Sequence, residues 1–349
     1  MGLIGEAEIK SQIKSCSFGN LYLVFGNEPY LKQFYCNKII EKAINPDFAA
    51  FNCHIFDGND VDLKEVSECV EALPMMDERK IVVVKDFNLS SLNQSQNEIF
   101  SEIVSDVPGD TLLLFWMQTV DVDIKKNDKW KKISQLVEKH GNVLVLDKKG
   151  TTELKKMLVS GAQKRGKVLS PQLAEYFVNT VGDDLNILLN ELEKLCFYCE
   201  SKIVEKEHID SIITRSVEAS VFDLAKLIIS GNRNGAFKNL SALIANKTDP
   251  ININAALISA YVDMYRAKVY VTSGFQAEEA AKYYNYRNKE FRLRNGLRDA
   301  SKMSLQQLRT CLEILSETDI KLKSTSADKS ILLEETIVKL ILTANGEKV

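Results

Sequence analysis

The chain has 349 residues, 45% apolar and 27% charged, with a net charge of −3. That length points to two or three domains, and the composition to a globular protein with an ample core. The longest apolar run, 112–117, is far too short to span a bilayer, and residues 1–6 carry neither the basic start of a secretory signal nor the Ser or Thr that myristoylation needs at position 6, so the cytoplasm is expected.

In chain order, Leu21-Tyr22-Leu23-Val24-Phe25 reads as a strand ending at Gly26. Asn27-Glu28-Pro29 opens a helix through Ile39, Ile40 and Ala43, because proline is tolerated in a first helical turn. A short strand at 52–56 ends on Asp57-Gly58. Leu63, Val66, Val70 and Leu73 recur at helical spacing, and the helix they predict leads into Leu73-Pro74-Met75-Met76 and then Asp77-Glu78-Arg79-Lys80. Strands follow at 81–84 and, after the turn Pro108-Gly109-Asp110, at 112–117. A helix around Trp130, Ile133, Leu136 and Val137 stops at Gly141, and a strand at 143–146 closes the series. Continuous apolar strands separated by helices predict a parallel sheet covered on both faces.

Beyond Asp147 no further strands are expected. Helices are predicted over 152–165, 172–181 and 184–199, with Gly182 as a stop and Asp184 as an N-cap. Longer helices follow from 219, where Ser304 and Gln307 have capping-box spacing. The layout is an α/β domain at 1–146, a small helical domain at 147–215 and a larger helical domain at 216–349.

A strand, a glycine and a helix are where an NTPase keeps its P-loop, G-x-x-x-x-G-K-[ST], whose backbone N–H groups and lysine hold phosphate. Here the stretch is Phe25-Gly26-Asn27-Glu28-Pro29-Tyr30-Leu31-Lys32. The Gly-Lys-Ser/Thr end is absent, Pro29 removes a donor, and Glu28 puts negative charge where a phosphate would sit. Asp86 after the 81–84 strand reads as a turn residue rather than a metal ligand. No nucleotide or other cofactor is expected, nor any catalytic residue or metal. The three histidines are far apart in sequence, and Cys196-Phe197-Tyr198-Cys199 sits in a helical pattern with no His nearby. His140 reads as a helix C-terminus and His208 as part of a polar turn.

Several segments together resemble the delta subunit of the bacterial DNA polymerase III clamp loader: the run from Tyr22 to Leu31, the run from Leu73 to Lys85, Asn190-Glu191-Leu192-Glu193-Lys194-Leu195, Val221-Phe222-Asp223-Leu224, and Asp319 to Lys323 with Leu332-Leu333-Glu334. They lie in order across the whole chain. The resemblance implies an AAA+-like α/β domain of P-loop NTPase type without a working nucleotide site, a small helical lid and a C-terminal helical collar. It implies a subunit with no ATPase of its own, sharing in DNA-directed DNA polymerase activity only as part of the holoenzyme. The implied partners are the sliding clamp (the beta subunit), the tau/gamma and delta-prime loader subunits, and primed DNA; no membrane is involved. A degenerate NTPase, or a sequence-independent DNA-binding adaptor, are the alternatives.

The resemblance also assigns a clamp contact to Leu73, Pro74, Met75 and Met76. Met75-Met76 stand where the family usually has a Leu or similar residue and then Phe, and methionine is flexible and polarizable enough to fill an irregular pocket. The competing reading has both methionines packing the helix end against the sheet. For DNA, residues 282–302 hold seven basic residues against two acidic ones, interleaved with aromatics that can stack on bases. Arg292 and Arg294 there, with Lys321 and Lys323 in the last family motif, are the candidate phosphate contacts; a solvated helix face over buried aromatics is the competing reading. With no base-reading motif, any such binding is expected to be sequence-independent.

Overall fold

In the computed structural model, residues 2–58, 61–213, 216–284, 286 and 290–347 are described. The chain divides into two compact units, 1–148 and 149–349. The first contains β1 (Gly2–Ile4), α1 (Glu6–Ser15), β2 (Leu21–Phe25), α2 (Pro29–Ala43), α3 (Ala49–Asn52), β3 (Cys53–Asp57), α4 (Leu63–Glu71), β4 (Lys80–Lys85), α5 (Gln94–Ser105), β5 (Thr111–Trp116), α6 (Asp128–His140) and β6 (Asn142–Val145).

Its six strands form one sheet in the order β1-β6-β2-β5-β4-β3, and every pairing is parallel. β2, β4 and β5 are buried along nearly their whole length, which is why they read as unbroken apolar runs rather than alternating ones. On one face Leu21, Leu23, Phe25, Val82, Val84, Leu113 and Phe115 pack with Val66, Phe100 and Val137 from α4, α5 and α6. β2 lies between β5 and β6, so the topological switch point, where doubly wound sheets bind ligands, falls at its carboxyl end. This is the parallel sheet expected from the run of apolar strands and intervening helices. β1, α1, α3 and α5 are additions that the pattern left unread, and Asn52, read as the start of a strand, ends α3.

The second unit contains α7 (Thr151–Lys164), α8 (Pro171–Val181), α9 (Leu185–Tyr198), α10 (Lys206–Ile212), α11 (Val217–Ile229), α12 (Arg233–Ala245), α13 (Pro250–Thr272), α14 (Phe291–Asp299), α15 (Leu305–Ser324) and α16 (Lys329–Ala344). The expected caps are present: Asp184 accepts from Ile187 N, and Ser304 and Gln307 form the reciprocal box that opens α15. One parallel bridge, Val168 with Ile203, departs from the all-helical expectation. His208 lies inside α10, not in a turn, and its Nδ1 accepts from Glu205 N. The main core joins Leu224, Leu240, Leu257, Leu308, Leu333 and Ile337 from α11, α12, α13, α15 and α16. Among the described residues no helix is long and apolar enough to cross a membrane.

Candidate partner-binding site

At the switch point the chain's own groups crowd the carboxyl end of β2. Gly26 has φ 129, and a Cβ there would lie 2.2 Å from the Leu146 carbonyl oxygen. Pro29 starts α2, and the buried Glu28 carboxylate accepts from Tyr30 N, so acidic charge already sits at the helix N-terminus. Lys32 is buried, and its ammonium donates at 2.8 Å to both the Met117 and Gln118 carbonyls. Burial holds its pKa below the usual lysine value. Asp86 accepts from the Thr119 and Val120 amides, consistent with a turn residue at a strand end.

The CxxC segment holds one surprise for the sequence reading. α10 brings His208 Nδ1 to 3.3 Å from Cys199 Sγ, so a histidine does lie beside this cysteine. Among the described residues, however, no three or more His, Cys, Asp and Glu side chains gather in a way that could hold a metal ion.

The stretch 73–76 is different in kind. α4 ends at Glu71, and Pro74 shortly beyond cannot continue it. The carbonyls of Cys69 and Ala72, orphaned at that helix end, accept from the buried Lys80 ammonium, a cation where the helix dipole favours one. Arg79 donates to the Phe18 and Gly19 carbonyls and to Asn20 Oδ1. Between these anchors the main chain of Met75 is bonded in both directions to the buried Asn52 side chain. Leu73 is 82% exposed, Met75 57% and Met76 78%, while Pro74 is half-buried. The methionines therefore do not pack the helix end against the sheet. They stand in solvent on a loop whose backbone is fixed, an arrangement suited to entering a partner's apolar pocket.

The basic candidates separate into two groups. Arg292 is turned inward: Nε donates to Asp263 Oδ2 at 2.7 Å, Nη2 to Ser259 Oγ at 2.7 Å, and the guanidinium lies over the Phe222 ring. Asp263 is buried and also accepts from the Tyr286 hydroxyl; burial and this bond push that phenol up to about 12. A guanidinium that neutralises a buried carboxylate is held for that carboxylate, which makes Arg292 a poorer phosphate contact than its exposed neighbours. Arg294, Lys321 and Lys323 are exposed; Arg294 lies 3.5 Å from Glu278, and Lys323 pairs with Asp319 one turn away. Exposed pairs of that kind are weak and exchange readily for another anion. Tyr283 and Tyr284 are also exposed, with the Arg266 guanidinium 3.7 Å from the Tyr284 ring centroid. Asn285, Arg287, Asn288 and Lys289 lie outside the described residues.

Comparison with known proteins gives a consistent result. The family model for "DNA polymerase III, delta subunit" matches residues 22–146, and that for "DNA polymerase III delta subunit, C-terminal domain" matches 218–340. The DNA polymerase III subunit delta of Bacillus subtilis (strain 168) is 23% identical over 342 residues, covering 96% of each chain. A probable DNA polymerase III subunit delta of Aquifex aeolicus (strain VF5) is 20% identical over 298 residues, covering 82% of each. Among solved structures, the Bacillus subtilis DNA clamp loader delta protein shares the fold, with a TM-score of 0.64, 21% identity, and coverage of 96% of this chain and 99% of that one.

Proposed function

The chain belongs to the DNA polymerase III delta subunit family, and from that premise we propose that it is the non-catalytic subunit of a bacterial replicative clamp loader that binds the sliding clamp and opens it for loading onto primed DNA. In this reading residues 1–146 carry the clamp contact, 147–215 form the lid, and 216–349 form the collar that joins it to tau/gamma and delta-prime subunits in the cytoplasm. The observation that carries the reading is the exposed apolar group Leu73, Met75 and Met76 on an anchored loop.

The mechanism is binding alone. A ring whose interface can open is a two-state system, and a ligand shifts it only by its differential affinity for the open form. Leu73, Met75 and Met76 enter a pocket on the clamp, with Pro74 setting their approach. The rival reading, a degenerate NTPase, is disfavoured by the Lys32 ammonium and the Glu28 carboxylate at the switch point.

Calorimetric titration against the cognate clamp tests the proposal. Burying two methionine side chains is worth up to about 3–6 kcal/mol by apolar area, so Met75→Ala/Met76→Ala is expected to weaken binding by about two orders of magnitude with unchanged melting. Equal affinity in wild type and variant would refute the assignment.

A further inference from the structure

An exposed loop that docks must be ordered either beforehand or on contact, and ordering it on contact subtracts from affinity. Residues 73–76 show how this chain meets that requirement. Asn52, at the end of α3, is 1% exposed, and its amide is bonded through both its oxygen and its nitrogen. Oδ1 accepts from Met75 N at 2.7 Å, and Nδ2 donates to Met75 O at 2.8 Å and to Phe48 O at 3.3 Å. A backbone N–H can only donate and a C=O only accept, so the amide has one workable orientation. The side chain reproduces the paired exchange that a neighbouring strand would make with Met75.

The consequence appears one residue later. Met76 has φ 58, a left-handed conformation that side chains other than Gly, Asn and Asp seldom adopt. Its side chain stands in solvent, so its own packing does not hold it there. A second tie comes from the same segment of chain, where the Asp77 carboxylate accepts from Asn45 N at 3.0 Å.

We propose that Asn52 is a positioning residue for clamp binding: it touches no partner, and it holds Met75 and Met76 in the docking conformation before the clamp arrives. This rests on the reading of 73–76 as the clamp contact. The test is a double-mutant cycle on the full chain with the cognate clamp. Asn52→Leu, similar in size and without the amide, is expected to weaken binding roughly tenfold or more. In the Met75→Ala/Met76→Ala background the same change should cost less than about twofold, because a positioning residue has nothing left to position. Hydrogen exchange at the Met75 amide should accelerate in Asn52→Leu without the clamp present. Should Asn52→Leu fail to fold, Asn52→Asp keeps the acceptor and loses the donor, and an intermediate loss is expected.

Wild-type affinity in the Asn52 variants, or an equal fold-loss in both backgrounds, would overturn the proposal while leaving 73–76 as the contact. A wild-type chain that ignores the clamp would sink both.

Discussion

Cys311 lies in the core of the helical unit with its thiol buried, and burial raises its pKa from the ordinary 9.0 to about 12. Below pH 9 both folded and unfolded chains keep the proton and the contribution to stability is fully present. As pH rises from 9 through about 12 only the unfolded chain releases it, and stability falls by about 1.4 kcal/mol per pH unit for this group. Cys36 and Tyr261, also raised by burial, act in the same direction. Lys32 and Lys80, lowered by burial, act in the opposite sense, since the unfolded chain holds their proton to higher pH. Cys311→Ala is expected to lose about 1 kcal/mol at pH 7 through the cavity, yet to lessen the fall between pH 8 and 10.5 by about 2 kcal/mol. Urea unfolding at the two pH values reads both effects, and an unaltered pH dependence would contradict the assignment. Single residues were the least legible scale in the sequence. Arg292 and Arg294 sit two positions apart in one basic run, and only the inward turn toward Asp263 distinguishes them.

At the scale of elements, the β2–α2 junction was readable because its signals are local. An apolar run, a glycine and a proline directly after an acidic cap define it without reference to the rest of the chain. What the sequence did not convey is how little room Gly26 has. With φ 129 and the Leu146 backbone where a Cβ would go, Gly26→Ala is both strained and overpacked. It is expected to destabilise the protein by roughly 2–4 kcal/mol, read as a lowered melting temperature; an unchanged melt would be inconsistent with this geometry. The missed elements have equally plain reasons. β1 is only three residues and acquires strand character by pairing with β6. α5 opens on a polar stretch, although its Asn93–Gln96 capping box and the spacing of Phe100, Ile103 and Val104 were present to be read.

Across the whole molecule the charge is uneven. Residues 217–349 carry 19 Lys and Arg against 15 Asp and Glu, or +4, and the remaining residues 26 against 33, or −7. We propose that Arg294, Lys321 and Lys323 bind the phosphates of primed DNA. If so, substituting all three with Ala should reduce the log–log salt dependence of binding by up to about 3, at roughly 0.9 for each duplex phosphate no longer neutralised, and equally for every sequence tested. Fluorescence anisotropy on a primed template measures this, and an unaltered slope would remove these residues from the interface. The sequence by itself determined the parallel sheet, the helical remainder and the failure of the P-loop pattern, because hydrophobic period, caps and missing glycines are properties of neighbouring residues. The family resemblance it carries also pointed to Leu73-Pro74-Met75-Met76. Only the tertiary structure decided that these side chains face water, that Lys80 and Asn52 fix the loop beneath them, and that Arg292 is bound inward. Each of those facts depends on partners distant along the chain, Asn52 to Met75 and Asp263 to Arg292, which local periodicity does not encode.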